Sequence, residues 1–209
     1  MKSYICHSGG CPGSDMTWEV EGNYYGVKTI AYSFSGHTQH GKNRQILSLE
    51  ELEEGYQHVL EANKVLKRRP EYTPRYIKGL LSRNWFQIKN SDSVFAIGKF
   101  IDKKRVNGGT GWAVQMAIDN KKPTFVFDQP SKKWNKFNYD TQEFEAIDYI
   151  PKLTENFAGV GTREIDDNGV NAIQTILKEN LSGVEEEQQT RFPVTEKIAG
   201  AAPVNPATL

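Results

Sequence analysis

The sequence predicts an α/β protein built as a three-layer sandwich, in which helices cover both faces of a mostly parallel β-sheet. Short runs of β-branched and aromatic residues, such as 93–98 (SVFAIG) and 123–128 (PTFVFD), read as buried strands. Longer segments with apolar residues at helical spacing separate these runs. Alternation of this kind is typical of parallel strands joined by crossover helices.

The individual elements follow from the same patterns. Strands are predicted at residues 3–6, 27–34, 93–98, 123–128 and 157–160. Helices are predicted at residues 15–24, 48–68, 75–89, 108–120 and 167–180. The second helix begins with the capping-box pattern S-L-E-E at Ser48 and ends before Pro70. The polar segment 35–47 is predicted to be a loop, and the aromatic-rich segment 131–150 either a β-hairpin or an ordered loop.

Composition narrows the class of protein. The 209 residues carry 26 Lys and Arg against 26 Asp and Glu, so the formal net charge is zero. A neutral chain argues against a broad basic surface for nucleic acid. The mean hydropathy is −0.62, and no apolar run is long enough to span a bilayer. The first ten residues have no long apolar stretch, so we expect no secretory signal and a cytoplasmic protein, in the host cytoplasm if the source is viral.

One domain is predicted over residues 1–180, followed by a segment of different composition at 181–209. That segment contains EEEQQ and an Ala-rich end, which bury little apolar surface. We interpret it as a flexible tail. The alternative is an arm that docks on a partner subunit, for example through Phe192.

Three glycine-rich turns lie beside the predicted strands and helices, and the first is the sequence NGGTG at 107–111. Its glycines, Gly108, Gly109 and Gly111, let a backbone approach a ligand closely. The start of the helix that follows offers unpaired N–H groups and a partial positive charge. The turn therefore predicts an anion site, with Thr110 adding a hydroxyl donor. The alternative is an ordinary structural turn.

The second turn, Ser8-Gly9-Gly10, follows the first predicted strand, where such folds make their leading phosphate or sugar contact. Asp15 comes shortly afterwards. It is interpreted either as a helix cap, which is common for Asp, or as an acceptor for a ribose hydroxyl.

The third turn, GVGTR at 159–163, offers Gly161, Thr162 and Arg163. An arginine can bind phosphate through two parallel hydrogen bonds. The alternative for Arg163 is a surface ion pair with Glu164 or Asp167. Asp128 ends the fourth predicted strand at the same edge, where it either binds a sugar hydroxyl or caps the turn before Pro130.

Metal and cofactor sites are not predicted. Cys6, His7 and Cys11 are close together, and His37 and His40 follow in the next loop. However, the C-x4-C spacing is not a usual zinc knuckle, and a buried thiol is common in a strand. Two cysteines also make no disulfide framework.

In order, these motifs (SGG, NGGTGWAVQMA, PTFVFD and AGVGTRE) resemble the SLOG superfamily of Rossmann-like proteins over residues 2–180. The superfamily includes the LOG phosphoribohydrolases and the DprA and YpsA-like proteins. The chain looks most similar to the small YspA/YpsA-related proteins of bacteria and phages. The resemblance implies a Rossmann-like fold, a nucleotide-derived ligand at the strand edge and a homo-oligomer.

The same resemblance raises the question of catalysis. LOG enzymes carry PGGxGTxxE, in which the last Glu helps to cleave an N-glycosidic bond. Here Gly108, Gly109 and Gly111 match, whereas Gln115 stands where that Glu would be. An amide cannot act as a general base, so this departure shifts the expectation towards binding. A carboxylate from Asp15, Asp128 or Glu164 remains a candidate for catalysis.

Trp112, directly after the glycines, is predicted either to stack on a base or to pack in the core against Trp85 or Phe125. Arg83 and Asn84, on the predicted helix 75–89, are further candidates for the site.

The leading hypothesis is therefore a protein that binds, and in that way senses or sequesters, a nucleotide or nucleotide-derived signal. The alternative is an enzyme that cleaves or forms an N-glycosidic bond in a nucleotide. A third hypothesis is a DprA-like accessory of DNA processing. Nucleic-acid and membrane partners are not expected.

Overall fold

The structure of the protein, a computed structural model, describes residues 3–182. Within that range the chain forms eight strands: β1 (Ile5–Ser8), β2 (Lys28–Phe34), β3 (Arg44–Leu47), β4 (Ser93–Gly98), β5 (Thr124–Asp128), β6 (Lys133–Asn138), β7 (Glu143–Ala146) and β8 (Asn156–Gly161). The helices of this range are α1 (Ser14–Tyr24), α2 (Leu49–Leu66), α3 (Arg75–Lys89), α4 (Thr110–Asp119) and α5 (Asp167–Leu181), and a 3-10 turn spans Pro70–Tyr72.

All eight strands join one sheet, in the order β3-β2-β1-β8-β4-β5-β6-β7. The strands from β3 to β5 pair in parallel. Only β6 and β7 run antiparallel to their neighbours, as the hairpin that was one of two interpretations of 131–150. The predicted α/β class with a mostly parallel sheet is confirmed.

Two apolar layers hold the helices against opposite faces of the sheet. On one face, α2, α3 and α4 pack together around residues such as Val59, Ile88 and Met116. On the other face, α1 packs beside α5, with Trp18, Ile173 and Ile176 fully buried against the sheet. The arrangement is a three-layer, doubly wound sandwich. Within residues 3–182, no helix combines the length and the apolar character that crossing a membrane requires.

The second helix starts as its sequence predicts. The Ser48 hydroxyl accepts from the Glu51 N–H at 3.2 Å, and the Glu51 carboxylate accepts from the Ser48 N–H at 2.7 Å. This reciprocal pair is a capping box. It fixes the direction of α2 and, through α2, the position of Arg68 just beyond its end.

Two strands differ from the sequence prediction. The segment 35–47 was predicted to be loop throughout, but its last four residues form the edge strand β3, in which only Leu47 is buried. An exposed edge strand carries little apolar pattern, so hydrophobicity did not reveal it. The first strand is Ile5–Ser8 rather than 3–6. It includes two buried polar residues, His7 and Ser8, which bond to Tyr32 Oη at 3.0 Å and Gly159 O at 2.7 Å.

The predicted tail lies almost entirely beyond the described residues. Leu181 is the last residue of α5 and is buried, and Ser182 follows it. The remaining residues, 183–209, with the predicted role of Phe192, lie outside the part of the chain that the structure describes.

Candidate functional site

A pocket of about 850 Å³ opens at the carboxyl ends of the parallel strands. The chain passes from β1 outward to β2 and β3 on one side of the sheet, and from β4 outward to β5 on the other. Ligands of doubly wound sheets bind in the crevice at such a reversal of strand order. The walls come from the segments after β1, β4, β5 and β8, from α3, and from residues 68–73.

This pocket brings together most of the predicted site residues. Those that line it are Asp15, Asn84, Gly108, Gly109, Thr110, Trp112, Gly161, Thr162, Arg163 and Glu164. The predicted residues outside its lining are Ser8, Gly9, Gly10, Gly111 and Asp128. The residues from different turns thus meet around one space, as expected for turns at one edge of a sheet.

The turn before α4 is open towards the pocket. Gly108 adopts the left-handed region with φ of 63°, whereas Gly109 is helical with φ of −63°. A Cβ added at either glycine would meet nothing within 4 Å. The Gly108 N–H donates to Asn107 Oδ1 at 2.8 Å, and the N–H groups of Gly111 and Trp112 donate to Asn107 O and Gly109 O. Gly109 has no side chain to cap α4, so the N–H groups of Gly109 and Thr110 have no acceptor among the described residues. This helix start therefore keeps free N–H donors and a partial positive charge at an accessible surface, which suits a phosphate or carboxylate.

Arg68 holds this turn in place, and sequence reasoning missed it. Its guanidinium donates to Gly108 O at 2.6 Å and to Val106 O at 3.0 Å. It also lies 5.6 Å from the ring centre of Trp112. Burial lowers the pKa of Arg68, with a smaller contribution from Arg105. Nothing in the local sequence marks an arginine at the end of α2 as the partner of a turn 40 residues later.

Trp112 is both a core residue and a wall of the pocket. It is only 5% exposed and belongs to the apolar layer that includes Trp85, whereas Phe125 lies in the layer on the other face. Its ring packs under Arg68 and borders the pocket. A ligand can touch its exposed edge, but most of the ring is committed to packing.

Several glycines of the motifs serve close packing. A Cβ on Gly9 would collide with the Arg83 guanidinium, and one on Gly10 with Gln39. A Cβ on Gly111 would collide with the carbonyl oxygen of Val106. These positions need glycine because neighbouring groups occupy the space of a side chain.

A buried ion pair forms the floor of the pocket. Arg83 Nη2 lies 3.6 Å from Asp15 Oδ2, and both side chains are almost completely buried. Asp15 also accepts weakly from the Cys11 N–H at 3.4 Å. Burial raises the pKa of Asp15, and its approach to Arg83 only partly offsets that effect. A buried carboxyl with a shifted pKa in a cleft is typical of functional sites.

Cys11 and His37 lie beside this pair. Arg83 Nη2 donates to Cys11 Sγ at 3.1 Å, and His37 Nε2 lies 3.6 Å from the same sulfur. His37 Nδ1 is 3.0 Å from Ser33 Oγ. Burial lowers the pKa of His37 to about 4, with further lowering by Arg83, Arg44 and Arg163, so its ring is neutral at neutral pH. The described residues contain no group of three His, Cys, Asp or Glu that could hold a metal ion.

The turn after β8 is tied to the start of α1. The N–H and hydroxyl of Ser14 donate to Thr162 O at 3.0 and 2.8 Å. The Thr162 N–H donates to Ile97 O at 2.9 Å. Arg163 and Glu164, which follow, are exposed at the rim of the pocket. Their backbone is therefore fixed while their side chains remain available to a ligand.

Three further residues lie away from the pocket space. The Asp128 carboxylate accepts from the N–H groups of Phe100 and Ser131, each at 3.1 Å, and so organises two turns. The Ser8 hydroxyl donates its hydrogen bond to Gly159 O. Gln115 stands at the position of the LOG glutamate. Its amide donates to Asp119 Oδ1 at 2.8 Å, one turn further along α4, and the residue does not line the pocket.

The fold and the site together define a Rossmann-like α/β protein with a pocket at the carboxyl edge of its sheet. No protein-family model matches the chain, and no curated protein matches it. Among solved structures, it is similar to one from Syntrophus aciditrophicus SB that carries the name "Putative molybdenum carrier protein". The identity is 13%, the TM-score is 0.46, and the match covers 85% of this chain and 94% of that one. A likeness at this level contributes no argument on function.

Proposed function

We propose that the protein binds a nucleotide or a nucleotide-derived phosphorylated molecule in the pocket at the sheet edge. One observation carries the proposal. The start of α4 lines the pocket, the N–H groups of Gly109 and Thr110 have no acceptor among the described residues, and the space in front of Gly108 and Gly109 is open. Backbone donors at an accessible helix start are a general means of binding phosphate.

The other walls suit the rest of such a ligand. Thr162 and Arg163, at the opposite rim, offer a hydroxyl and a guanidinium to a second phosphate. Ile77, Leu80 and the edge of Trp112 offer apolar surface to a base. A volume of about 850 Å³ lies within the range of ~300–1,000 Å³ common for small-molecule sites.

Within this proposal the ligand is held intact, and the protein acts as a sensor or a sequestering protein in the cytoplasm. The order of its glycine motifs supports this through the resemblance to the SLOG superfamily. The position of Gln115 supports it as well, because the residue aligned with the LOG carboxylate is an amide engaged elsewhere.

Calorimetric titration with a panel of mono-, di- and cyclic nucleotides tests the proposal. We expect at least one nucleotide to bind, with adenosine or another unphosphorylated nucleoside binding much more weakly. Chromatography of the denatured complex should return the ligand unchanged. The absence of binding heat for every nucleotide in the panel would refute the proposal.

A second candidate is nucleotide N-glycosidic hydrolysis, favoured by the buried Asp15 carboxyl at the pocket floor with its raised pKa. If it operates, free base and ribose phosphate will accumulate with the wild-type protein. Asp15→Asn will abolish their release, because an amide cannot exchange a proton or stabilise an oxocarbenium ion as a carboxylate does. Asp128→Asn is the matched control, since that carboxylate lies outside the pocket lining. Equal product with Asp15→Asn and the wild type would eliminate this candidate.

A further inference from the structure

We propose that Cys11 is a nucleophilic thiol, which forms a covalent bond with a pocket ligand that carries an anionic group and an electrophilic carbon. This goes beyond the proposed function, which requires only reversible binding. It concerns a cluster of Cys11, His37 and Arg83 contributed by three separate segments of the chain. No part of the proposed nucleotide contacts uses this cluster.

The position of Cys11 makes it reachable. It follows β1, precedes α1 by a few residues and lines the pocket. It is 6% exposed, which leaves access for a small reagent from the pocket side. Cysteines near a helix start and beside a cation are typically activated, because the thiolate is the nucleophilic form.

Arg83 is the cation. Its Nη2 donates to the sulfur at 3.1 Å, so a negative charge on Cys11 would be stabilised by a direct charge-assisted hydrogen bond. Arg83 is only 4% exposed, and its Nε has no hydrogen-bond partner among the described residues. A buried unpaired donor is costly. Arg83 also lines the pocket, so its positive charge favours an anionic ligand beside Cys11.

His37 completes the chemistry. Its Nε2 lies 3.6 Å from the sulfur, while Ser33 orients the ring through Nδ1. The neutral ring can accept a hydrogen bond from the thiol and relay its proton to solvent, since its low pKa keeps the ring from retaining that proton. In the step, the sulfur electron pair forms an S–C bond, the leaving group departs with the electrons of its own bond to that carbon, and the thiol proton passes by way of His37 Nε2 to solvent. The other charged groups near the cluster are Asp15, paired with Arg83, and Arg163 and Arg44, which act on His37 at longer range.

Cys6 provides a built-in comparison. It is fully buried, and burial raises the pKa of its thiol well above the usual range. Its sulfur packs where a Cβ on Gly159 would lie, so the sheet and α1 enclose it. Cys6 should therefore be inert under conditions in which Cys11 reacts.

The test compares two alkylating reagents of similar size, anionic iodoacetate and neutral iodoacetamide, with the folded wild-type protein at about pH 7.5. Intact-protein mass spectrometry follows the rates, and peptide mapping assigns the site. Glutathione serves as the reference thiol. We expect a single label on Cys11, and a rate ratio of iodoacetate to iodoacetamide roughly 5-fold or more above that of glutathione, because Arg83 attracts the carboxylate. A ratio equal to or below that of glutathione would overturn the proposal, as would labelling of Cys11 no faster than of Cys6.

Three variants sharpen the result. Cys11→Ser should lose the label, and Cys6→Ser should keep it. His37→Gln keeps a polar group beside the sulfur but removes the ring that relays the proton, so we expect the labelling rate to fall about 10-fold in a protein that stays folded. An unchanged rate would remove His37 from the mechanism. Because neither reagent contains a base or a phosphate, these outcomes are independent of nucleotide binding.

Discussion

Gly109→Val is expected to abolish ligand binding while the protein stays folded. The helical φ of −63° at Gly109 is accessible to any residue, and a Cβ there would touch no atom within 4 Å. The valine side chain would instead fill the space in which a phosphate approaches the start of α4. We expect the dissociation constant of the best nucleotide to rise roughly 100-fold or more, about 2.7 kcal/mol, as measured by calorimetry.

The control for this change is Glu50→Val. It also introduces a valine at the start of a helix, but at an exposed position of α2, away from the pocket lining. Both variants should melt within a few degrees of the wild type, and only Gly109→Val should lose binding. If Gly109→Val binds as tightly as the wild type, the phosphate does not lie at α4 and the site has been assigned to the wrong turn.

Arg83→Met is expected to be the most destabilising change at the site. It removes the cation 3.6 Å from Asp15 and leaves a fully buried carboxylate without its partner. Breaking a buried ion pair in this way usually costs about 3–5 kcal/mol, because the remaining charge is uncompensated. Urea denaturation at about pH 7.5 should show this loss in the free energy of unfolding.

The pH dependence of the stability loss in Arg83→Met distinguishes lost charge from lost packing. The pKa of Asp15 is already raised by burial, and the loss of Arg83 raises it further. A carboxyl whose folded-state pKa is raised contributes stability at low pH, which is lost as the pH rises through that pKa. The deficit of Arg83→Met should therefore be smaller at about pH 5 than at about pH 7.5. The double variant Arg83→Met with Asp15→Asn should recover most of the stability at the higher pH. A deficit that is the same at both pH values would mean that lost packing, rather than charge, is responsible.

Much of the fold could be predicted because its strongest signals are local. Strands β4 and β5 are buried at every position, β2 is buried at most of its positions, and all three are rich in apolar and β-branched residues. The start of α2 is marked by the capping box at Ser48. The edge strand β3 could not be found this way, because only one of its four residues is buried. The place of β8 between β1 and β4 depends on long-range pairing that no local pattern encodes.

The candidate site was likewise predictable where its signals are local, and not where it depends on contacts between distant residues. The turn at Gly108 and Gly109 was visible because a helix start preceded by glycines is a local motif. The contact of Arg68 with that turn spans 40 residues and leaves no local trace. The meeting of Cys11 with His37 and Arg83 likewise depends on how α3 and the loop after β2 pack beside β1, so the sequence alone suggested only a metal site that the spacing did not favour.

The central position of β8 has a consequence for how the protein is made. β8 is the last strand of the described chain, yet it lies between β1 and β4 and bonds to both. Without β8, the strands β1–β3 and β4–β7 can pair only among themselves, and each group leaves an unpaired inner edge. Such edges invite pairing with other chains until they are covered. Domain closure and the assembly of the pocket therefore coincide, because both depend on one short segment, NFAGVG, that joins the two halves.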